Sequence, residues 1–286
     1  MPGHSLFGAL YSVLDQRTPL LPKLYRQKKV CEKEGVAFKS KIELAVDTLA
    51  TFEPLADTTT HVLVDSWFHC HSLRKACRKR GWDLSGELKS NRRLRVVNAR
   101  GELEWQRLSD YASGLKEVDW QLAQWPSSAE GKPQTVYVHV IRTKVSKLGA
   151  TLVVIRRYHL AGQPGEIRYW GTTVLAATAQ EVLDCLVKRW SIEVFFEDAK
   201  DLLGSDHYQL MSAVGVERFW TLIALLSSFL DEERFKMSQG TEGAHHSWGE
   251  CRNELQRQHR RNLLSWLEQQ FREGAEASTL AHFFHL

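Results

Sequence analysis

Apolar and polar positions follow strand-like and then helix-like spacing in the first part of the chain. Residues 4–14 contain an apolar run that predicts a buried strand, with a helical alternative, and residues 23–31 alternate loosely and predict a second strand. Residues 41–52 repeat apolar side chains at helical spacing, and Ser40 with Glu43 forms a capping-box pattern in front of them. The pattern therefore predicts two strands followed by a helix.

A β-branched run at His61–Val64 ends at Asp65 and predicts a buried strand of the parallel type. Residues 71–80 predict a basic helix that Gly81 ends, and residues 82–88 predict the next strand. This alternation favours an α/β core whose sheet is covered by helices. Functional acids are found at the carboxyl ends of central strands in such sheets, which is the position of Asp65.

The segment 96–171 has a different pattern. Its β-rich runs, separated by Pro and Gly, predict a mostly β insertion, with strands at 135–145, 151–158 and 166–172. Helical spacing returns after the insertion, which predicts a helical end to the chain. Helices are expected at 179–203, 216–236 and 250–272, with a polar linker at 238–247.

The overall composition is that of a globular protein with one large or two medium domains, since 43% of the 286 residues are hydrophobic and 25% are charged. The net charge of +4 permits nucleic-acid binding without establishing it. Five cysteines without a CxxC pair indicate free thiols in a reducing cytosol. The cluster His69–Cys70–His71 with Cys77 fits no common structural zinc spacing.

The longest late apolar run, Phe219–Leu230, is too short to span a bilayer, and the first residues lack a signal-peptide pattern. We therefore expect a cytosolic protein without a membrane segment. The tryptophans of the insertion are expected to pack in its core, with the alternative that one of them, such as Trp170, stacks on an unpaired base.

The segment LVKRWSIEVFFEDAK places Arg189, Glu193 and Lys200 at helical positions i, i+4 and i+11, within roughly 40° of one another on one face. A carboxylate between cations that bind phosphate is what metal-assisted phosphodiester chemistry requires. By spacing alone, the plainer alternatives lead. Glu193 then forms a solvated ion pair with Arg189, and Asp65 is a turn acid at a strand end.

Residues 61–93 and 180–210 resemble the DDE transposases of bacterial insertion sequences, whose core is RNase H-like (retroviral-integrase-like). The family signature is Tyr, two residues, Arg, three residues, Glu, six residues, Lys. Arg189, Glu193 and Lys200 match it, whereas the Tyr position holds Leu186. HVLVDSWF resembles the strand that carries the family's second acid, and GELKSNRRL resembles the strand after it with its basic exit.

The resemblance implies that Asp65 and Glu193 are catalytic carboxylates that bind Mg²⁺ or Mn²⁺ in a two-metal site. Arg189 and Lys200 would then hold DNA phosphates near the scissile bond. The basic run after the predicted strand at 82–88 is also expected to meet the DNA backbone. Its cations are Lys89, Arg92, Arg93 and Arg95.

The same resemblance sets the expected organisation. An RNase H-like core would occupy residues 1–95 and 172–237, with the β insertion at 96–171 and a linker and basic helix at 238–286. The expected partner is double-stranded DNA, at the element ends and at the target, bound by a homodimer. A cytoplasmic, nucleoid-associated location follows from that.

The family needs a third acid on a first strand ahead of these elements. Asp15, Asp47 and Asp57 precede Asp65, but the pattern puts them at a strand end, in a helix and in a loop. We therefore expect an N-terminally truncated transposase whose first strand would lie before Met1, inactive as an isolated chain. The alternatives are a catalytically inactive DNA-binding remnant that inhibits the active enzyme, and an unrelated RNase H-like nuclease.

Overall fold

A computed structural model describes residues 4–14, 16–126, 133–160, 166–239 and 246–278. Asp15 and most of the predicted linker lie outside these ranges. A 3-10 turn occupies Glu117–Asp119. The other elements are β1 (Ser5–Phe7), β2 (Leu10–Val13), β3 (Gln16–Pro19), β4 (Lys23–Tyr25), α1 (Lys28–Glu34), α2 (Lys41–Thr51), β5 (His61–Val64), α3 (His71–Lys79), β6 (Asp83–Glu87), β7 (Arg93–Val97), β8 (Leu103–Arg107), α4 (Leu108–Ser113), β9 (Gln121–Trp125), β10 (Gln134–Val145), β11 (Gly149–Arg157), β12 (Arg168–Thr172), α5 (Ala179–Arg189), α6 (Ser191–Leu203), α7 (Ala213–Gln239) and α8 (Trp248–Arg272).

The chain divides into two compact units. The first, called here the sheet unit, comprises Met1–Phe7 and Tyr25–Glu193. The second, called here the helical unit, comprises Gly8–Leu24 and Val194–Leu286. The sequence predicts different boundaries, at residues 95, 171 and 237, between the core, the insertion and the tail. These domain boundaries stay a prediction.

The sheet unit is built on one mixed sheet whose described strands run in the order β5-β6-β12-β11-β10-β7-β8, with β9 paired to β10. β5 and β6 are parallel, whereas the other neighbours are antiparallel. The predicted α/β architecture is confirmed in this form: a central mixed sheet with helices. Its assignment to the RNase H-like class stays an expectation.

The predicted β insertion is a continuation of this sheet. Its last strand, β12, pairs with β6, and Gly171 lies opposite Gly86 in that register. Strand β11 has apolar side chains on both of its faces. Val153 and Ile155 belong to one apolar cluster, and Leu152 and Val154 belong to another. Helix α4 contributes to the first cluster and α5 to the second, so both faces of the strand are buried.

Two predictions for the first residues need correction. Residues 4–14 form two short, partly buried strands, β1 and β2, instead of one buried strand. Residues 23–31 form a strand only at β4, because the polar Lys28–Glu34 segment becomes helix α1 with Cys31 as its buried residue. Gly35 ends that helix at φ 66°, a left-handed conformation that favours glycine.

Other predicted elements are confirmed. Ser40 and Glu43 form the capping box of α2, because the Ser40 N–H donates to Glu43 Oε2 (2.7 Å) and the Glu43 N–H donates to Ser40 Oγ (3.2 Å). His61–Val64 is a strand parallel to its neighbour, although only Val64 of the four residues is buried.

The helix predicted over 179–203 is interrupted at Trp190. The Trp190 N–H donates to the Val187 carbonyl (3.0 Å), and the Glu193 N–H donates to the Trp190 carbonyl (3.1 Å). These i to i−3 bonds tighten the backbone into a 3-10 turn between α5 and α6. The angle of about 100° per residue therefore does not carry across the junction, and the single helical face predicted for the three signature residues is wrong in detail.

In the helical unit, α7 packs against β3 and α8. Asp231 is 2% exposed in this packing and accepts three hydrogen bonds. The donors are the Arg17 N–H (2.6 Å), Arg234 Nε (2.9 Å) and Trp248 Nε1 (3.1 Å). A buried carboxylate needs this number of donors to offset the loss of water, so Asp231 is a structural centre of the unit.

By length and composition α7 is the one helix in the described chain that meets the requirements for crossing a membrane, with a mean hydropathy of 1.4 in its most apolar window. The core helix of a globular protein meets the same requirements. The buried ion pair of Asp231 with Arg234 lies on this helix, and one third of the window is buried within the structure.

Candidate functional site

Asp65 lies directly after β5, at the carboxyl end of the strand, as predicted. Its Oδ1 accepts hydrogen bonds from the backbone N–H groups of Trp67 and Phe68, each at 2.9 Å. This is the turn-acid arrangement that the plainer interpretation describes. The residue is exposed, and Oδ2 has no hydrogen bond to any part of the described chain. One carboxylate oxygen of Asp65 thus closes the turn while the other is available to a ligand.

The buried residue His69 supports the Asp65 turn. Its ring is 2% exposed and lies on the glycine pair that joins β6 to β12, where a Cβ on Gly86 or Gly171 would approach ring atoms to 3.2 or 3.3 Å. The His69 N–H donates to the Asp65 carbonyl at 3.1 Å. Burial lowers the pKa of His69 to about 4, so the ring is neutral near pH 7. His69 is therefore a packing residue that positions Asp65.

The described residues contain no group of three or more His, Cys, Asp or Glu side chains placed to hold one metal ion. Cys77 is buried in the apolar cluster that includes Leu73 and Leu84, and burial raises the pKa of its thiol to about 12. All five cysteines are free, as predicted.

Glu193 lies in the first turn of α6, directly after the junction with α5. Arg189 Nη1 donates to Glu193 Oε1 at 2.5 Å, so the predicted i, i+4 ion pair is present. The other oxygen, Oε2, is shielded from water and has no hydrogen-bond partner among the described residues. A buried carboxylate oxygen without a donor is costly, and divalent metals bind such oxygens. The ion pair and a ligand at Oε2 are therefore compatible.

Helix α5 connects the two acids through the sheet unit. It packs against β5, where Cys185 Sγ lies 3.5 Å from His61 Nδ1, and against β9, where the Gln124 N–H donates to Gln180 Oε1 at 2.9 Å. The helix that leads to Glu193 thus contacts the strand that leads to Asp65. Leu186, at the signature's Tyr position, is buried in the core of the sheet unit.

Two of the predicted DNA-binding cations lie beside the Asp65 turn. Arg92 Nη2 donates to the His69 carbonyl at 2.8 Å, which ties the chain after β6 to the chain after β5. Lys89 is exposed, and its Nζ lies 5.4 Å from the centre of the Trp67 ring. Arg92 is therefore partly committed to structure, whereas Lys89 keeps its charge at the surface.

The other predicted cations are placed differently. Arg93 begins β7, which three strands separate from β6 in the sheet, so Arg93 is not brought to the Asp65 turn. Lys200 is exposed on α6, within the helical unit. Arg189 is the cation that the structure joins directly to a candidate acid.

Within the insertion, Trp170 follows the packing interpretation, whereas Trp105 is 48% exposed. Trp170 is 8% exposed and stacks on Trp125 with 5.5 Å between ring centres, so it is a core residue. Two further tryptophans lie in the segments HVLVDSWF and LVKRWSIEVFFEDAK, outside the insertion. Trp67 and Trp190 are 62% and 53% exposed and flank Asp65 and Glu193. The sequence Asp65-Ser66-Trp67 was the available signal, because it places a tryptophan two residues after the candidate acid.

Comparison with known proteins identifies the wider group. A family model described as a transposase DDE domain matches residues 37–229. The match covers more than half of the chain and contains Asp65, Arg189, Glu193 and Lys200. No curated protein gave a match.

Proposed function

Because this chain belongs to the transposase DDE domain family and thus has a role in transposition, we propose that Asp65 and Glu193 are two of the carboxylates that bind divalent metal during DNA strand cleavage and transfer. The observation that carries the proposal is the shielded Oε2 of Glu193, which has no partner in the described residues. Both residues lie in the sheet unit and within the matched range.

The donor set suits Mg²⁺ or Mn²⁺. Both candidate ligands are carboxylates, and hard divalent cations prefer oxygen and need only one or two protein carboxylates when substrate phosphate and water complete the shell. Bound divalent metal would supply stabilisation of the attacking and leaving oxygens of a phosphodiester. Asp65 would contribute Oδ2 while its Oδ1 keeps the turn closed.

The cations would act on the DNA. Arg189 holds Glu193 in place through Oε1, and the remaining N–H groups of its guanidinium can grip a phosphate. Lys89 presents an exposed ammonium beside the Asp65 turn, where a phosphate backbone passing the acids would meet it. Lys200 and Arg93 would contact DNA further from Asp65, and a homodimer on duplex DNA remains part of the proposal.

We further propose that a third carboxylate joins Asp65 and Glu193 from a segment outside these 286 residues, so the isolated chain does not cleave DNA. The support is that β5 stands at one end of the strand order and, among the described strands, pairs with β6 alone. An unpaired strand edge next to a functional acid is suited to receiving a further strand. The nucleotide sequence upstream of the Met1 codon tests this, because an encoded strand with an Asp is expected there in the same or a shifted frame.

The main experiment measures Mn²⁺ binding to the purified full chain by electron paramagnetic resonance. The wild type is expected to bind Mn²⁺, and Glu193→Gln is expected to weaken binding by about tenfold, because one charged ligand is lost. Glu197→Gln is the matched control, since Glu197 is exposed on the same helix. Equal effects of the two substitutions would refute the metal role of Glu193.

Cleavage of an end-containing duplex separates the functional alternatives. Nicking that depends on Mg²⁺ by the isolated chain would overturn the proposed need for a third carboxylate. Cleavage without preference for element ends and without strand transfer would favour an unrelated nuclease. An inactive remnant would bind DNA and inhibit a complete transposase in mixed assemblies, and the chain would then remain inactive after a strand with an Asp is supplied.

A further inference from the structure

The side chain of Trp67 is exposed in the turn that follows β5. Its neighbour Phe68 turns inward, packs on the cluster around Val64 and meets Phe7 edge-on at 5.6 Å between ring centres. Trp67 turns outward and leaves 62% of its surface in contact with water. The hydrogen bond from its N–H to Asp65 Oδ1 fixes the backbone in this orientation. The exposure is therefore a property of the turn that Asp65 closes.

The surroundings of the ring are cationic. Lys89 Nζ lies 5.4 Å from the ring centre, within the range of a cation–π contact. Arg92 is held nearby through the His69 carbonyl, in the turn that follows Trp67. A surface that docks another protein through apolar contact is expected to be continuous and low in charge at its centre. A single aromatic ring beside an ammonium group is instead the combination that proteins use for unpaired nucleotides.

From this geometry we infer that Trp67 and Lys89 form a nucleotide-binding pair, in which the indole ring stacks on an unpaired DNA base and the ammonium group neutralises an adjacent phosphate. The inference rests on the proposed function for the identity of the nucleic acid. Trp67 is two residues from Asp65, so a base held on its ring places the neighbouring phosphodiester beside the candidate acid. Trp67 is a positioning residue in this arrangement, since the acid and not the ring would face the reacting atoms.

The pair explains why an exposed tryptophan follows the acid. Stacking on an aromatic face is tolerant of sequence, because every base has such a face. A DNA strand must be partly unpaired for one of its bases to lie flat on a protein ring, and a strand end opens at smaller cost than an internal pair. Trp67 would therefore favour single-stranded or frayed DNA over a blunt duplex.

The test uses the full chain in EDTA, so that binding is measured without cleavage. Fluorescence anisotropy of labelled oligo-dT and of a blunt duplex of equal length compares the wild type with Trp67→Ala, Trp67→Phe and Trp105→Ala. Trp105 is the matched control, since it is 48% exposed on β8, at the other edge of the sheet. Thermal unfolding of each variant checks that the fold is retained.

We expect Trp67→Ala to weaken oligo-dT binding by about tenfold or more, with a smaller effect on the duplex, because one base–aromatic stack is lost. Trp67→Phe is expected to keep most of the affinity, and Trp105→Ala all of it. Lys89→Gln is expected to lower the slope of log affinity against log salt by about 0.7 for single strands, which corresponds to one phosphate contact. A 2-aminopurine base in an overhang should be quenched by the wild type and not by Trp67→Ala.

The possible negative results distinguish a failure of the proposed function from a failure of the nucleotide-binding pair alone. If the wild type binds neither DNA, the DNA-binding part of the proposed function fails, and the nucleotide-binding pair fails with it. If the wild type binds oligo-dT and Trp67→Ala binds it equally well, only the role of Trp67 is refuted. A Trp67→Ala chain that binds DNA normally but changes its oligomeric state would identify the ring as a protein contact and overturn the inference.

Discussion

Arg189 and Glu193 share one hydrogen bond across the junction of α5 and α6, with 2.5 Å between Nη1 and Oε1. The arginine thereby restrains a carboxylate whose second oxygen is shielded and, among the described residues, unpartnered. In an ordinary surface ion pair the second carboxylate oxygen is hydrated and the pair contributes little stability, whereas here the second oxygen is shielded and has no donor among the described residues. That difference separates the structural interpretation of Glu193 from the functional one.

Substituting Arg189 by Gln should therefore have opposite effects on two ligands. Removal of a positive charge beside Glu193 is expected to tighten Mn²⁺ binding by about threefold to tenfold, because a nearby cation opposes metal binding. DNA binding should weaken, because a phosphate contact is lost. Lys188→Gln is the control, since Lys188 is the exposed neighbour on the same helix. Weaker Mn²⁺ binding in Arg189→Gln would mean that orientation of Glu193 outweighs charge.

Substitutions at Asp65 should separate its turn from its ligand role. Asp65→Asn keeps an oxygen that accepts from the N–H groups of Trp67 and Phe68, so we expect unfolding free energy close to that of the wild type. Asp65→Ala removes the acceptor and should cost about 1 kcal/mol. Both should lose Mn²⁺ affinity. Thermal unfolding and metal titration check this, and normal Mn²⁺ binding by Asp65→Asn would restrict Asp65 to the turn.

Asp231 is expected to be the most sensitive acid for stability in the helical unit. Asp231→Asn conserves shape but removes the negative charge from the buried ion pair with Arg234, which should cost about 3–5 kcal/mol. Glu232→Gln is the control, because Glu232 pairs with Lys236 at the surface and should change stability by less than about 0.5 kcal/mol. Chemical denaturation measures both. A small loss for Asp231→Asn would show that the three donors tolerate a neutral acceptor.

The thiols of Cys77 and Cys185 should be poorly reactive in the folded protein. Burial raises the pKa of Cys77 to about 12 and that of Cys185 to about 11, so each is almost wholly protonated at pH 8. Alkylation of Cys185 by iodoacetamide, followed by mass spectrometry, should increase about tenfold per pH unit up to about pH 10, because the thiolate fraction rises in that proportion below the pKa. A plateau near pH 9 would contradict the shift. The unfolded chain provides the rate of an unperturbed thiol.

The strand with Asp65 and the capped helix before it were predictable because local signals agree there. His61–Val64 is short, β-branched and ends in an acid, and the Ser40 and Glu43 pattern stands at a helix start. The second half of 23–31 was not predictable in this way. Its alternation is weak, and a short polar stretch is decided by the burial of a single side chain, Cys31.

The candidate site shows the same division. The spacing of Arg189 and Glu193 predicts their contact, because four residues make one helical turn. The shielding of Glu193 Oε2 depends on tertiary packing, and the outward direction of Trp67 depends on the Asp65 turn. The spacing of residues along the sequence predicts neither of these two features. The pairing of β12 with β6 also joins residues that are distant in sequence, and no local sequence pattern predicts such a pairing.

That pairing has a consequence for the synthesis of the protein. During translation β6 emerges early, with β5 on one side, and its other edge stays open until β12 has left the ribosome. Contacts between distant segments form slowly, and an open strand edge is prone to self-association in the meantime. Nascent chains that stop between these two strands would therefore lack the β6–β12 pair, where Gly86 and Gly171 support His69. The Asp65 turn is therefore supported by His69 and the glycine pair only after the insertion has been synthesised.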